Sequence, residues 1–306
     1  MSIIFFGTPE FALPSFWSLI NSGEEISLVV TQTDKLKGRG HKLSPPPVKT
    51  AALEAGIRVA QPGTLRDDKF IEALRFLKPE FIVVIAYGKI LPDAILETPE
   101  HGCLNVHASL LPNYRGAAPI AWAILRGDER TGITTMLMDE GLDTGPILLQ
   151  QETDISRDDT AGSLSVKLAR LGASLLIETL KGIRDGSVKP RVQSGEASYA
   201  PPLRKEDGLI DWSRSAVEIS NFVRGMQPWP SAYCTLEGAR VTILKAEPLE
   251  GSGLSGTVIR SSKGELVIGT GKGRISLLEL QPSGKRPMPA SAFLLGRKLM
   301  EGMVLK

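Results

Sequence analysis

Ile3-Ile4-Phe5-Phe6, closed by Gly7-Thr8-Pro9, decides the fold of this chain. A short, continuous apolar run bounded by turn residues reads as a buried strand. The same logic, followed outward, predicts a helix over residues 10–20, a strand over 26–30, a helix including 71–77 and closed by Lys78-Pro79, and a strongly apolar strand over 81–86. A further strand ends the run Cys103-Leu104-Asn105-Val106-His107. Residues 117–125 have a helical pattern, 134–138 read as a strand, and 160–181 as a long amphipathic helix with Leu164, Leu168, Leu171 and Leu175 near one face. This alternation implies an α/β fold: a Rossmann-like, parallel sheet with helices on both faces.

The texture changes after that long helix. Residues 186–207 are rich in Gly, Pro, Ser and charge, as a linker is. The expected division is a first domain over 1–189, a linker over 190–207 and a smaller domain over 208–306. In the last of these, Ala216, Ile219, Phe222, Val223 and Met226 form one helical stripe that Pro228-Trp229-Pro230 terminates. Five short strands are expected, over 232–236, 241–246, 256–260, 265–269 and 274–280. Short strands joined by Gly-rich turns imply a small, OB-like β-barrel.

Of the 306 residues, 42% are apolar and 23% charged, as in ordinary globular proteins. The longest apolar stretches, such as 81–87, fall far short of the roughly 20 residues of a membrane helix. Neither a signal peptide nor a membrane span is expected, and Cys103 and Cys234 have no zinc-site spacing. A cytoplasmic location without a structural metal follows as an expectation. Net charge is +2 but uneven: residues 208–306 carry 13 Lys+Arg against 8 Asp+Glu, a balance of +5, which leaves −3 for the rest. Within that acidic part, residues 31–50 hold Lys35, Lys37, Arg39, Lys42 and Lys49 against Asp34 alone.

Asn105 and His107 are two residues apart, so in a strand they project from one face at its carboxyl end, where open α/β sheets bind ligands. Asp143 follows in the turn Met138-Asp139-Glu140-Gly141-Leu142-Asp143-Thr144-Gly145. Taken singly, each has an ordinary structural explanation: a cap, a satisfied histidine, a loop carboxylate. Together they resemble the folate-dependent formyltransferases. The run Asn105-Val106-His107-Ala108-Ser109-Leu110-Leu111-Pro112-Asn113-Tyr114-Arg115-Gly116 looks like the signature of enzymes that use 10-formyltetrahydrofolate, with Asp143 at the expected place downstream. Ala86-Tyr87-Gly88-Lys89-Ile90-Leu91-Pro92 is similar to the family's folate-contacting strand end. The resemblance implies catalytic roles for Asn105, His107 and Asp143, and folate contacts from Ser109, Leu110, Leu111, Pro112 and Tyr87. A plain surface turn at 109–112 would leave Leu110 and Leu111 without an evident burial partner. The implied chemistry needs oxyanion donors and a titratable imidazole that Asp143 orients, but neither a covalent nucleophile nor a metal.

The acceptor must be read elsewhere. Residues 31–49 are too long for a usual βα connection, and their cations suit phosphate contacts. The loop resembles an insertion found in family members that act on methionyl initiator tRNA, for translation initiation, and missing from the smaller glycinamide ribonucleotide enzymes. Phe6-Gly7-Thr8-Pro9-Glu10-Phe11-Ala12, Ile210-Asp211-Trp212-Ser213 and Leu280-Gln281-Pro282-Ser283-Gly284-Lys285-Arg286 look like that branch too. The resemblance implies that Arg39 and Lys42 approach the acceptor end of the tRNA while the basic C-terminal barrel holds its backbone, in a monomer. A nucleotide-sugar amine is the alternative acceptor. A dinucleotide-dependent oxidoreductase fits poorly, because the first strand lacks a G-x-G-x-x-G turn, and a non-catalytic RNA-binding module leaves Asn105, His107 and Asp143 unexplained.

Overall fold

The opening apolar run forms β1 (Ser2–Gly7), buried at Ile3, Ile4, Phe5 and Phe6 inside a seven-stranded sheet. The structure is a computed structural model that describes residues 2–37, 42–262, 264–297 and 299–306, with backbone alone for Lys37 and Lys42. After β1 a 3-10 turn over Glu10–Ala12 leads into α1 (Leu13–Asn21), where Pro14 occupies the second helical position and so loses no helical hydrogen bond. There follow β2 (Glu25–Val30), a hairpin of β3 (Lys35–Lys37) and β4 (Lys42–Ser44), α2 (Pro47–Glu54), β5 (Val59–Ala60), α3 (Asp68–Phe76), β6 (Phe81–Ile85), α4 (Asp93–Leu96) and β7 (Cys103–His107). Then come β8 (Arg115–Gly116), α5 (Pro119–Arg126), β9 (Arg130–Leu137), β10 (Ile147–Asp154), α6 (Ala161–Arg184) and β11 (Tyr199–Ala200).

The sheet order is β10-β9-β7-β6-β1-β2-β5. The pairs β1/β2, β1/β6, β2/β5 and β6/β7 are parallel, whereas β9 runs antiparallel to β7. The sheet is therefore parallel-dominant and not wholly parallel as expected. Sequence hides the reversal because β9 is buried on both faces at Thr131–Met136 positions, as a parallel strand would be. Strand order changes direction between β1 and β6, and at such a switch point a crevice opens beyond the carboxyl ends. Here those ends are Gly7-Thr8 and Ala86-Tyr87, with β7 one strand further along. The Thr8 hydroxyl donates to the Tyr87 carbonyl at 3.4 Å, linking them.

Helix α6 covers β7 closely. A Cβ at Gly172 would come within 2.8 Å of the Val106 side chain, so this helix position tolerates only glycine at its present spacing. The far side of β7, carrying Asn105 and His107, is left for the crevice.

The second unit begins with α7 (Ala216–Gly225), started by a capping box in which the Ser215 and Glu218 side chains each take the other's backbone N–H. It continues with β12 (Tyr233–Leu236), β13 (Ala239–Leu249), β14 (Val258–Arg260), β15 (Leu266–Gly269), β16 (Arg274–Pro282), β17 (Met288–Pro289) and α8 (Ala290–Leu295). The strands form an antiparallel sheet in the order β12-β13-β16-β15-β14, with β17 on β16. Irregular register at Ile243, Lys245 and Ala246 bends the long β13, curling the sheet into a half-barrel. Ile219 and Val223 of α7 share its core with Ile243, Leu277 and Leu280. One compact unit comprises Met1–Pro119, Thr131–Asp154 and Ser165–Ala200; the other comprises Ile120–Arg130, Ile155–Leu164 and Pro201–Lys306.

Candidate active site

Along β7 the residues alternate as pattern requires: Leu104 and Val106 face α6, while Cys103, Asn105 and His107 face the opposite side. Asn105 is half-buried, and among the described residues no side-chain hydrogen bond holds its amide. Its N–H donors are free for a ligand. The Cys103 thiol points to the Ile95 carbonyl at 3.6 Å and burial pushes its pKa up to about 12, so it is no nucleophile at neutral pH.

His107 is 6% exposed and held from two sides. Its Nε2 lies 3.0 Å from the Tyr114 carbonyl oxygen, and because a carbonyl can only accept, Nε2 carries the hydrogen. Nδ1 faces Asp143 Oδ2 at 3.6 Å, beyond hydrogen-bond distance. In the neutral ring Nδ1 therefore holds the lone pair, and a proton added there meets a carboxylate. Asp143 is fixed in turn by the Gly116 backbone N–H, which donates to the same Oδ2 at 2.8 Å.

Backbone geometry makes this arrangement possible. Tyr114 and Asp143 both adopt left-handed φ, at 61° and 54°, conformations that persist only where neighbours hold them. For Tyr114 the neighbour is Ser198, whose hydroxyl oxygen accepts its N–H at 2.9 Å. For Asp143 it is Gln193, whose amide donates to the Asp143 and Gly145 carbonyls, each at 2.8 Å, while its oxygen accepts from Arg115. Pairing of β11 with β8 anchors the end of the segment that carries these partners. Tyr114, Gln193 and Ser198 escape sequence reasoning: one acts through its main chain, and the others sit in a stretch whose composition reads as a linker.

The other expected site residues are dispersed by depth. Ser109 is fully buried, donating to the Asn113 carbonyl at 2.5 Å. Leu111 packs with Met136 and Ile147, and its backbone is taken by Thr134 and Gln150. Leu110 lies over Gly132, where a Cβ would approach it to 2.6 Å. Both leucines thus have burial partners within the fold, so their packing by itself does not argue against a plain surface turn. Leu110 and Pro112 remain half-exposed at the rim. Tyr87 is 1% exposed, its ring edge-on to Phe6 with centroids 5.1 Å apart, and its carbonyl accepts from the Gln32 amide at 2.7 Å. Arg39 lies outside the described residues, as does the Lys42 side chain, although the Lys42 backbone pairs in β4. A cavity of about 380 Å³ opens between Pro9 and Phe11, after β1, and Thr33, Lys35, Ser44 and Pro46 at the two ends of the basic loop. Among the described residues no group of three or more His, Cys, Asp and Glu is placed to hold a metal ion.

Comparison with known proteins shows the family of the chain. Residues 1–180 match the formyl transferase family, and residues 202–298 match its C-terminal domain. The chain is 55% identical over 301 residues to a methionyl-tRNA formyltransferase of Thermodesulfovibrio yellowstonii, covering 98% of this chain and 97% of that one. It is 50% identical over 305 residues to the protein of that name from Pelobacter propionicus, covering 99% and 96%. In fold it is similar to an N-formyltransferase from Helicobacter canadensis crystallised with folinic acid and dTDP-3-aminofucose, with TM-score 0.70, 18% identity and coverage of 92% and 99%. HypX from Aquifex aeolicus, in complex with tetrahydrofolic acid, aligns with TM-score 0.66 and 19% identity over 97% of this chain and 47% of its own. With both domains matched and half of all positions shared with full-length relatives, the chain belongs to the formyl transferase family.

Proposed function

We propose that this chain transfers the formyl group of 10-formyltetrahydrofolate to the α-amino group of methionyl initiator tRNA, for translation initiation. The observation that carries the chemistry is the His107 ring, fixed between the Tyr114 carbonyl and Asp143 beside the free amide of Asn105. The acceptor is supported by the name of the full-length relatives and by the basic loop. The folate is a donor substrate here, and the half-exposed Leu110 and Pro112 after β7, with the backbone after Tyr87 at the end of β6, are the groups we assign to its ring system.

Attack of the amine forms an N–C bond to the formyl carbon and drives negative charge onto the formyl oxygen. The Asn105 amide donates to that oxygen; losing such a donor typically costs about 10²–10³ in rate. His107 Nδ1 takes the proton that the amine sheds, and Asp143 Oδ2 stabilises the imidazolium so formed. The same proton passes to the folate nitrogen as its bond to the formyl carbon breaks, which returns His107 to its starting state. Tyr114 acts throughout by holding the proton on Nε2, so that Nδ1 alone turns over.

Single-turnover assay with 10-formyltetrahydrofolate tests this against two acceptors, methionyl initiator tRNA and a nucleotide-sugar amine. Formylation of the tRNA is expected, and transfer only to the sugar overturns the reading. His107→Ala should lower the single-turnover rate by about 10²-fold or more with the circular dichroism spectrum unchanged; near-normal turnover removes His107 from the mechanism.

A further inference from the structure

The basic loop between β2 and α2 is closed at its base by an ion pair. Lys49, in the first turn of α2, places Nζ 2.8 and 2.9 Å from the two carboxylate oxygens of Asp34, just beyond β2. Gln61, following β5, binds both partners: its oxygen accepts from Lys49 at 2.7 Å and its amide donates to Asp34 at 2.8 Å. That amide also donates to the Gln32 carbonyl at 2.7 Å, and the Gln32 side chain in turn donates to the Tyr87 carbonyl. A continuous hydrogen-bonded chain therefore runs from the loop base to the end of β6, and through Thr8 to the end of β1.

Lys49 and Asp34 side chains are only 23% and 21% exposed, so the pair is partly shielded from competing water. The Lys49 bond, seconded by Gln61, holds the Asp34 carboxyl below the usual carboxylate range. A lysine neutralised in this way has little charge left for a phosphate, although sequence alone groups it with the loop cations. What the pair does instead is fix both ends of the segment whose strands β3 and β4 pair Lys35 with Ser44 and Leu36 with Leu43.

We propose that Asp34, Lys49 and Gln61 are positioning residues that hold the β3–β4 hairpin in a fixed orientation to the ends of β1 and β6, so that tRNA use depends on them while donor handling does not. This rests on the tRNA reading above.

Steady-state kinetics of Asp34→Asn, Lys49→Met, their double variant and Lys49→Arg test it. Asp34→Asn keeps the shape of the side chain. It and Lys49→Met should each raise KM for tRNA by about ten-fold, the scale of one charge-assisted hydrogen-bonded pair, with kcat and the folate KM within about two-fold of wild type. The double variant should be no worse than either single one, and Lys49→Arg should restore most of the loss. If Lys49 instead served as a phosphate contact, freeing it in Asp34→Asn would lower the tRNA KM, which overturns the proposal. Unchanged tRNA kinetics overturn it also, as does a folate KM that rises in step. Wild-type protein that leaves tRNA unformylated overturns the parent reading and the clamp's role together, whereas active wild type with unaffected variants overturns the clamp alone.

Discussion

Tyr87 carries a phenol hydroxyl that is buried with no hydrogen-bond partner among the described residues, and burial alone raises its pKa. An orphaned buried donor costs about 1–3 kcal/mol. Tyr87→Phe keeps the edge-on contact with Phe6 and removes the orphan, so thermal unfolding should show a gain of about 1 kcal/mol with the folate KM unchanged. A weaker folate KM would mean that the hydroxyl finds its partner in the bound donor. The contrast with His107 shows what sequence can and cannot yield for single residues. Asn105 and His107 were legible as a pair on one strand face and Asp143 through the resemblance to the family's motif, and the structure places His107 Nδ1 3.6 Å from Asp143 Oδ2. The Tyr114 carbonyl was not, since a main-chain acceptor has no residue signature, and nothing in the identity of Tyr87 says that its ring turns into the core.

Among the elements, α6 shows how a helix end is secured. Arg184, in its last turn, donates to both Glu80 oxygens at 2.8 Å and to both Glu24 oxygens at 2.6 and 2.7 Å. Glu80 is 2% exposed, and its bond to Arg184 holds its carboxyl below the usual range. A carboxyl depressed in the folded state adds stability above its unfolded pKa, near 4.3, and loses it as pH falls toward the folded value. Arg184→Met should therefore cost about 3 kcal/mol at pH 7 by leaving Glu80 buried without its cation, and should flatten the fall of Tm below about pH 4.5. An unaltered acid limb would assign that fall to other carboxyls. This helix was legible over 160–181 from its leucine period, and β1, β2, β6 and β7 from their apolar runs. Of the strands that escaped, β5, β8, β11 and β17 have two residues each and β3 and β4 three, too few to show any period. β10 escaped because most of its length is half-buried or exposed.

For the whole molecule, the instructive fact is that the second unit is discontinuous. Segments Ile120–Arg130 and Ile155–Leu164 belong to it although they precede most of its chain. Within that unit the Arg224 guanidinium, whose pKa burial lowers, donates to the Asp159 carbonyl at 2.8 Å. The Gly162 N–H donates to the Gln227 carbonyl at 3.0 Å, and a Cβ at Gly225 would meet Leu125 at 2.9 Å. No composition shift marks these early segments, because their burial depends on α7, some sixty to a hundred residues later, and local pattern cannot carry such a pairing. A fragment of residues 201–306 keeps α7 and the half-barrel but strips Arg224 of that acceptor and exposes the glycine face that Leu125 covers. It should therefore be less stable than the same unit in the intact chain by about 2 kcal/mol or more, read as a Tm lower by about 10 °C for a unit of this size. Restoring the early segments in cis restores the Tm, whereas an isolated fragment that melts with the intact unit would show that they add nothing to its core.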